Sequence, residues 1–318
     1  MILLVRVPEQ GKPPVTETLQ LLSQRLDLLG CFAMFVPACV MILLGLSWGG
    51  QRLSWGSSTV IGLLCGGFGL SVVFGFWQRY KQDKALIPPS IFLQPVVFFG
   101  CLVSFLQGGA FLEMGYYMPL WFQSVRHASP LSSGLMLLPT MISQIIASMV
   151  SGYMIKHIAY TIPWALLGNV FIAVGAGLMI TWRADTNEGT WIGYQIFVGA
   201  GRGLALQMPV ISAQNYLTGM QIPIGAAMLM FMQYFGGAVF LSVAKTIFTN
   251  ELISTLHKYA PDIDAYSIVH SGATSAFNGL SEHDRPLVVE AYNKALTSTF
   301  VSVPGLLAGI NATGNMIL

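Results

Sequence analysis

One arginine lies in the middle of an apolar stretch that is long enough to cross a lipid bilayer. Arg202 falls within residues 191–217, and Gln195 precedes it by seven positions, or two helical turns. A charge at the centre of a bilayer costs roughly 2.5–3.5 kcal/mol on insertion scales, so such residues face a protein interior, a partner or a water-filled path. We therefore predict that Arg202 has a buried functional role, such as lining a cavity, or a buried structural pairing role. The alternative, an arginine reaching the interface from a helix end, fits poorly with its distance from both predicted ends.

Glu113 is the single acidic residue inside a predicted membrane span, and Tyr116 and Tyr117 follow it by one turn. A buried carboxylate can accept and release a proton, as a proton-coupled carrier requires. Glu113 is thus a candidate for proton coupling. Its position near the outer end of its helix favours the alternative that it simply reaches external water.

Uncharged polar side chains recur at mid-depth in the apolar stretches. In lipid these groups need hydrogen-bonding partners, so they should face inward as links between helices or as the wall of a cavity. Together with tyrosines and methionines they suit a broad cavity for amphipathic organic molecules. The candidate cavity residues are Gln144, Gln195, Gln207, Gln233, Tyr116 and Tyr117. Ordinary helix packing is the alternative for any one of them.

Glycines surround the arginine in the segment 199–203. They follow no strand and do not complete a G-x-G-x-x-G motif, so close helix packing through small residues is favoured over nucleotide binding. The glycines predicted to serve helix packing are Gly199, Gly203, Gly236 and Gly237.

The composition places these residues in a membrane protein. The chain has 318 residues, of which 54% are hydrophobic and only 9% charged, whereas soluble proteins carry about 25% charge. A net charge of +2 and the lack of any basic block exclude a nucleic-acid partner. The five histidines show no metal-ligand spacing and no catalytic motif is present, so we expect no metal, no cofactor and no enzyme.

A spanning helix needs about 20 apolar residues. The eight stretches that meet this test are 28–46, 59–77, 96–119, 133–155, 162–181, 191–211, 223–245 and 298–316. The predicted domains are a cytoplasmic segment (1–27), a pair of spans with a basic connector (28–92), and a six-helix bundle (93–318) with an external loop at about 250–297. A receptor that binds a ligand on this loop is an alternative without a supporting motif.

Orientation follows from the basic residues in alternate connectors. Seven fall on the side of the N-terminus, against three in the short connectors of the other side. This excess predicts a cytoplasmic N-terminus.

Short motifs carry a family resemblance across nearly the whole chain. They include Arg25-Leu-Asp-Leu-Leu-Gly30, Tyr116-Tyr-x-Pro119, Leu138-Pro139, Gly193-Tyr-Gln195, the glycines around Arg202, Leu206-Gln-Met-Pro209 and the segment 235–240. In these motifs the chain resembles fungal members of the major facilitator superfamily, specifically the fourteen-span drug:proton antiporters that include multidrug and mycotoxin efflux pumps.

The resemblance implies an all-α membrane fold of six N-terminal spans, two linker spans and six C-terminal spans. The two-plus-six layout matches the last eight, so the N-terminal six-helix bundle is expected as a missing partner. It also places Arg202 on the fourth helix of the C-terminal bundle, pseudo-equivalent to an arginine linked to proton coupling.

The expected function is proton-coupled efflux of amphipathic organic compounds by alternating access in the full-length parent. The expected partners are the lipid bilayer, a small amphipathic substrate and protons, and the expected location is the plasma membrane, with the vacuolar membrane as the alternative. The alternative function is a truncated fragment, or a half-carrier that needs a separate N-terminal bundle. In either case we expect the chain alone not to transport.

Overall fold

The computed structural model describes residues 27–28, 30–50, 52–157, 160–261, 263–271, 277, 281–300 and 302. Within these ranges the protein is all-α, as predicted, and residues 49 and 53 form one isolated bridge. The predicted segment 1–27 lies outside the described residues except for Asp27. Most of the predicted eighth span, 298–316, lies outside them as well.

Seven helices in the described part of the chain are long and apolar enough to cross a membrane. They are α1 (Gly30–Trp48), α2 (Ser58–Lys81), α3 (Pro95–Ser124), α4 (Pro130–Ile155), α5 (Ile162–Met179), α6 (Glu188–Tyr216) and α7 (Gln221–Tyr259). Two further helices follow, α8 (Ala265–Ser271) and α9 (Asp284–Phe300), and a single turn, Pro89–Phe92, precedes α3.

Prolines interrupt two of the spanning helices. The span α4 consists of Pro130–Leu135 and Leu138–Ile155, and α6 consists of Glu188–Ala205 and Met208–Tyr216. In each case a proline, Pro139 or Pro209, lies at the start of the second part. Proline lacks the N–H that continues the helical ladder, which is why the helix restarts there.

The helices pack in three groups. The most extensive contacts are between α3 and α7, and α6 packs between α4 and α5. The pair α1 and α2 forms the third group and touches the rest mainly through α7. The helix α6 also reaches α3, so it lies at the centre of the bundle.

Apolar side chains are exposed along several spans. Phe76 on α2 is 71% exposed and Met149 on α4 is 72% exposed, for example. Lipid is the solvent that such surfaces require, since a soluble protein does not leave large contiguous apolar surfaces in water. The chain is therefore a multi-pass membrane protein.

The region predicted as an external loop contains helices, including one over residues 284–300, close to the helix-like segment that the sequence indicates at about 285–296. The helix α7 continues to Tyr259, although its predicted span ends at residue 245, and residues 284–300 form α9. The helix α9 packs on α3, α5 and α7 and belongs to the largest hydrophobic core. Its Tyr292 lies against Phe248, and burial raises the pKa of this tyrosine to about 12. The helix α9 therefore packs as part of the bundle.

Candidate functional site

Arg202 is buried at the centre of the bundle. Its side chain is only 6% exposed, and Nη2 donates hydrogen bonds to the main-chain oxygens of Phe111 (2.9 Å) and Ala110 (3.3 Å) on α3. The guanidinium carbon also lies 4.8 Å from the centre of the Phe111 ring, a cation–π distance. In the described part of the chain, main-chain carbonyls and an aromatic ring contact this charge and no carboxylate does, while Nε has no hydrogen-bonding partner there.

Glycines on two faces of α6 allow the neighbouring helices to approach the arginine. A Cβ atom at Gly199 would overlap the main-chain oxygen of Thr140, and one at Gly203 would overlap that of Gln144, both on α4. A Cβ at Gly201 would lie 2.5 Å from the main-chain oxygen of Gly168 on α5. These contacts fix α6 between α4 and α5, so Arg202 is directed towards α3.

A second glycine contact joins α3 to α7. A Cβ atom at Gly236 would overlap the main-chain oxygen of Phe105, and one at Gly108 would overlap that of Gln233. Gly237 faces the side chain of Leu112 on α3. The two backbones therefore touch directly where the helices cross, which explains the extensive contact between them.

Buried amides continue the polar centre beside Arg202. Thr140 Oγ1 donates to Gln195 Oε1 at 2.8 Å, and Gln195 is fully buried. Gln107 Nε2 donates to Asn169 Oδ1 at 3.1 Å. Gln195 Nε2 and Gln107 Oε1 have no hydrogen-bonding partner among the described residues. The centre of the bundle thus holds an unpaired hydrogen-bond donor and an unpaired acceptor, surrounded by apolar side chains.

Glu113 lies on the same helix as the two carbonyls that hold Arg202. It is 1% exposed, and its Oε1 atom lies 2.6 Å from the hydroxyl of Ser302. The expectation that this acid reaches external water is therefore wrong. The reason is tertiary: the C-terminal segment containing α9 and Ser302 packs across α3 and covers the carboxylate.

The two tyrosines beside Glu113 occupy different environments. Tyr117 is fully buried next to Phe248, and its hydroxyl has no partner in the described region. Tyr116 is 52% exposed on the outer side of α3. The structure therefore places only Tyr117 inside the bundle.

The remaining predicted cavity residues do not come together. Gln207 is exposed at the break in α6, whereas Gln144 and Gln233 are half-buried on α4 and α7. A large cavity of about 1040 Å³ lies elsewhere, between α1, α2 and α7, and none of the six predicted residues lines it. No set of three potential metal ligands forms among the residues that the structure describes.

Sequence reasoning missed two partners of the candidate residues. Thr140 follows a proline at the start of a helix segment, and Ser302 lies in the weakest predicted span. A single hydroxyl has no periodic signal, so no pattern in the sequence separates these two from other serines and threonines. Gln107 and Asn169, by contrast, are detectable as amides at mid-depth in apolar helices.

These features define the class: a multi-pass helical membrane protein with a buried cation and a buried acid at its centre. Residues 19–262 match the family model of the fungal trichothecene efflux pump (TRI12), and the chain belongs to this family. The match confirms the resemblance to fungal transporters that the motifs indicate.

Named relatives agree with the family model. The chain is 40% identical over 306 residues to the MFS-type transporter pigP of Monascus ruber, covering 96% of this chain and 54% of that protein. It is 39% identical to the efflux pump mlcE of Penicillium citrinum, covering 90% of this chain and 52% of that protein. It is 37% identical to the MFS acetylaranotin efflux transporter ataA of Aspergillus terreus, covering 90% of this chain and 64% of that protein. The chain thus spans about half the length of the first two of these relatives.

Proposed function

We propose that the full-length protein exports amphipathic organic compounds by alternating access, driven by protons. The relatives are named as efflux pumps and MFS transporters, which supports export. The location in this proposal is the plasma membrane, with the vacuolar membrane as the alternative. The N-terminus is cytoplasmic, in keeping with the excess of basic residues in the connectors on that side.

The hydrogen bonding of Glu113 carries the proton part of this proposal. Ser302 Oγ lies 2.6 Å from Glu113 Oε1 and 2.7 Å from the main-chain oxygen of Thr299. A hydroxyl has one proton and can donate only one of these two hydrogen bonds. Both contacts are satisfied when Glu113 itself carries a proton and donates it to Ser302 Oγ, while Ser302 donates to Thr299.

Loss of that proton changes the energetics of the contact between helices. With an ionised Glu113, Ser302 can donate to only one of its two acceptors, and the lost hydrogen bond costs about 0.5–1.5 kcal/mol. Separation of Ser302 from α3, or entry of water, relieves this cost. Protonation of Glu113 would therefore bias the arrangement of the C-terminal segment against α3, which is what coupling between a proton and a conformational change requires.

Arg202 and Gln195 have a different role in the proposal. Arg202 joins α6 to α3 one turn from Glu113, and Gln195 presents an unpaired amide donor two turns along α6. Separation of α6 from α3 would release the guanidinium to face a cavity. In that state Arg202 and Gln195 would offer hydrogen-bond donors to the oxygen atoms of an amphipathic substrate.

The test is pH-gradient-driven uptake of a fluorescent amphipathic dye into everted membrane vesicles from yeast that express the complete coding sequence. The variant is Glu113→Gln, because an amide can donate to Ser302 Oγ as a protonated acid does but cannot release a proton. We expect it to abolish gradient-driven uptake while dye exchange at equal concentrations continues. Glu290→Gln, on the exposed side of α9, is the matched control and should leave both activities unchanged. Gradient-driven uptake at the wild-type rate in Glu113→Gln would overturn the role of this acid.

A further inference from the structure

A cavity of about 1040 Å³ lies between α1, α2, the connector that follows α2, and α7. Small-molecule sites usually occupy about 300–1,000 Å³, so this cavity lies just above that range. It is separate from Arg202 and Glu113, neither of which lines it. The transport proposal therefore gives it no role.

One part of the cavity wall is aromatic. Phe35 on α1 lies 5.1 Å from Phe74 on α2 and 4.9 Å from Phe231 on α7, measured between ring centres. Phe231 in turn stacks on Phe235 at 5.5 Å. All four side chains line the cavity. This aromatic end of the cavity is suited to binding a hydrocarbon chain.

The cavity opens to the surface of the bundle that faces lipid. Two of its lining residues, Phe68 and Leu93, are 61% and 68% exposed. The neighbouring surface of α1 and α2 is also apolar, since Phe32 is 69% exposed. A hydrocarbon chain can therefore enter from the bilayer without crossing water.

The other end of the cavity is polar and positively charged. Arg79 lines it at the end of α2, together with Gln78 and Gln82. Lys81 ends α2 and Lys84 follows in the connector, which also contains one acid, so the net charge of residues 79–84 is +2 (three basic residues minus one acid). The carboxylate of Asp27 contacts this lining, where it accepts a hydrogen bond from Gln78. Gln94, also in the lining, has a buried side-chain oxygen without a partner in the described structure. This end offers a cation and a free acceptor to a polar head group.

We propose that this cavity binds one anionic phospholipid of the surrounding membrane, with its acyl chains against the aromatic wall and its phosphate at Arg79. An amphipathic anion fits the order of the lining, which runs from apolar and lipid-facing to basic. Basic side chains near a membrane surface favour anionic lipid by about fivefold each. The bound lipid would fill the gap between α7 and the pair α1 and α2, which otherwise touches the bundle over a small area.

The test is native mass spectrometry of the purified 318-residue chain in detergent, titrated with phosphatidylserine or with phosphatidylcholine of the same acyl chains. Two pairs of variants separate the head-group end from the chain end. Arg79→Gln removes the charge at the cavity, and Arg183→Gln removes an exposed arginine that does not line it. Gly75→Leu fills the cavity from α2, whereas Gly69→Leu adds the same side chain outside it; a Cβ atom meets nothing within 4 Å at either glycine.

We expect one tightly bound phosphatidylserine per chain and weaker binding of phosphatidylcholine. Arg79→Gln should lower phosphatidylserine affinity about fivefold. It should lower phosphatidylcholine affinity less, because the choline cation offsets the charge of the phosphate. Gly75→Leu should weaken both lipids. Both control variants should behave as the wild type. Equal binding of the two lipids, or no effect of Arg79→Gln and Gly75→Leu, would overturn the proposal. A further experiment is a thiol-to-amine cross-link between Cys39, in the cavity wall, and Lys12. If this cross-link forms equally in the lipid-free and the lipid-saturated protein, the cavity belongs to the chain's own N-terminal segment and the proposal is overturned.

Discussion

The helices α2 and α6 are both apolar enough to span a membrane, yet they are used in opposite ways. In the most apolar window of α2, 17% of residues are buried inside the protein, against 61% in that of α6. The helix α2 keeps its charges, Arg79 and Lys81, in its last turn, while α6 carries Arg202 near its middle. A charge is tolerated at mid-depth in α6 because α3, α4 and α5 pack around this helix and main-chain oxygens of α3 accept hydrogen bonds from the guanidinium.

The glycines of the two helices show the same difference. Three glycines of α2, Gly62, Gly69 and Gly75, have open space where a side chain would be. Gly199 and Gly203 on α6 have the backbone of α4 in that place. The same residue type therefore serves close packing in one helix and is free of steric constraint over much of the other.

The largest loss of stability is expected when a tightly packed glycine is substituted. Gly199→Ala would push a methyl group into the main-chain oxygen of Thr140, and because a backbone atom cannot rotate away, we expect a loss of about 1–3 kcal/mol or more. Gly62→Ala on α2 should be neutral or stabilising by about 0.5–1 kcal/mol, since alanine is the better helix former. Thermal unfolding followed by fluorescence-detected size exclusion measures both. Equal behaviour of the two variants would contradict the contrast between α2 and α6.

Arg202 should matter more for transport than for stability. The carbonyls of Ala110 and Phe111, which lose the guanidinium in Arg202→Met, lie within the helical hydrogen-bond ladder of α3. We therefore expect the free energy of unfolding to change by less than about 1 kcal/mol. Transport, measured in the vesicle assay, should be lost. Lys245→Met is the control, because this lysine is exposed and both measurements should stay at the wild-type level. A loss of transport that only follows a loss of folded protein would show that Arg202 is structural.

A smaller effect is expected for the hydrogen bond between Thr140 and Gln195. A double-mutant cycle with Thr140→Val and Gln195→Leu should give a coupling free energy of about 0.6 kcal/mol, the average for hydrogen bonds between membrane helices. The same cycle with Thr140→Val and Ser71→Ala is the comparison, since Ser71 bonds within α2 to Gly67. The effects of that second pair of substitutions on the free energy of unfolding should add to within about 0.5 kcal/mol. Similar coupling in both cycles would mean that the polar centre is not a local network.

The smallest effect is expected on the lipid-facing side of α2. Phe76 is 71% exposed, so Phe76→Leu should change the unfolding free energy by less than about 0.5 kcal/mol. The same measurement on Phe122→Leu, in the fully buried aromatic core, provides the contrast and should show a clear loss. A large effect at Phe76 would indicate that protein, and not lipid, covers this surface.

Much of the fold follows from local sequence. The positions of the seven described spans agree with the predicted ones, because hydrophobicity over about 20 residues is a local property. The extension of α7 to Tyr259 was not predictable in this way. Its last turns are polar and are covered by α8 and α9, so packing and not hydrophobicity keeps them helical.

By itself, the sequence determined the all-α membrane class, the family, and the identity of Arg202 as a residue that needs protein around it. Tertiary structure alone decided that Glu113 faces Ser302, a residue 189 positions away, and not water. It also decided which amides acquire partners and which remain free. The physical reason is that insertion into lipid depends on the composition of each segment, whereas partner choice depends on how separate helices pack against each other.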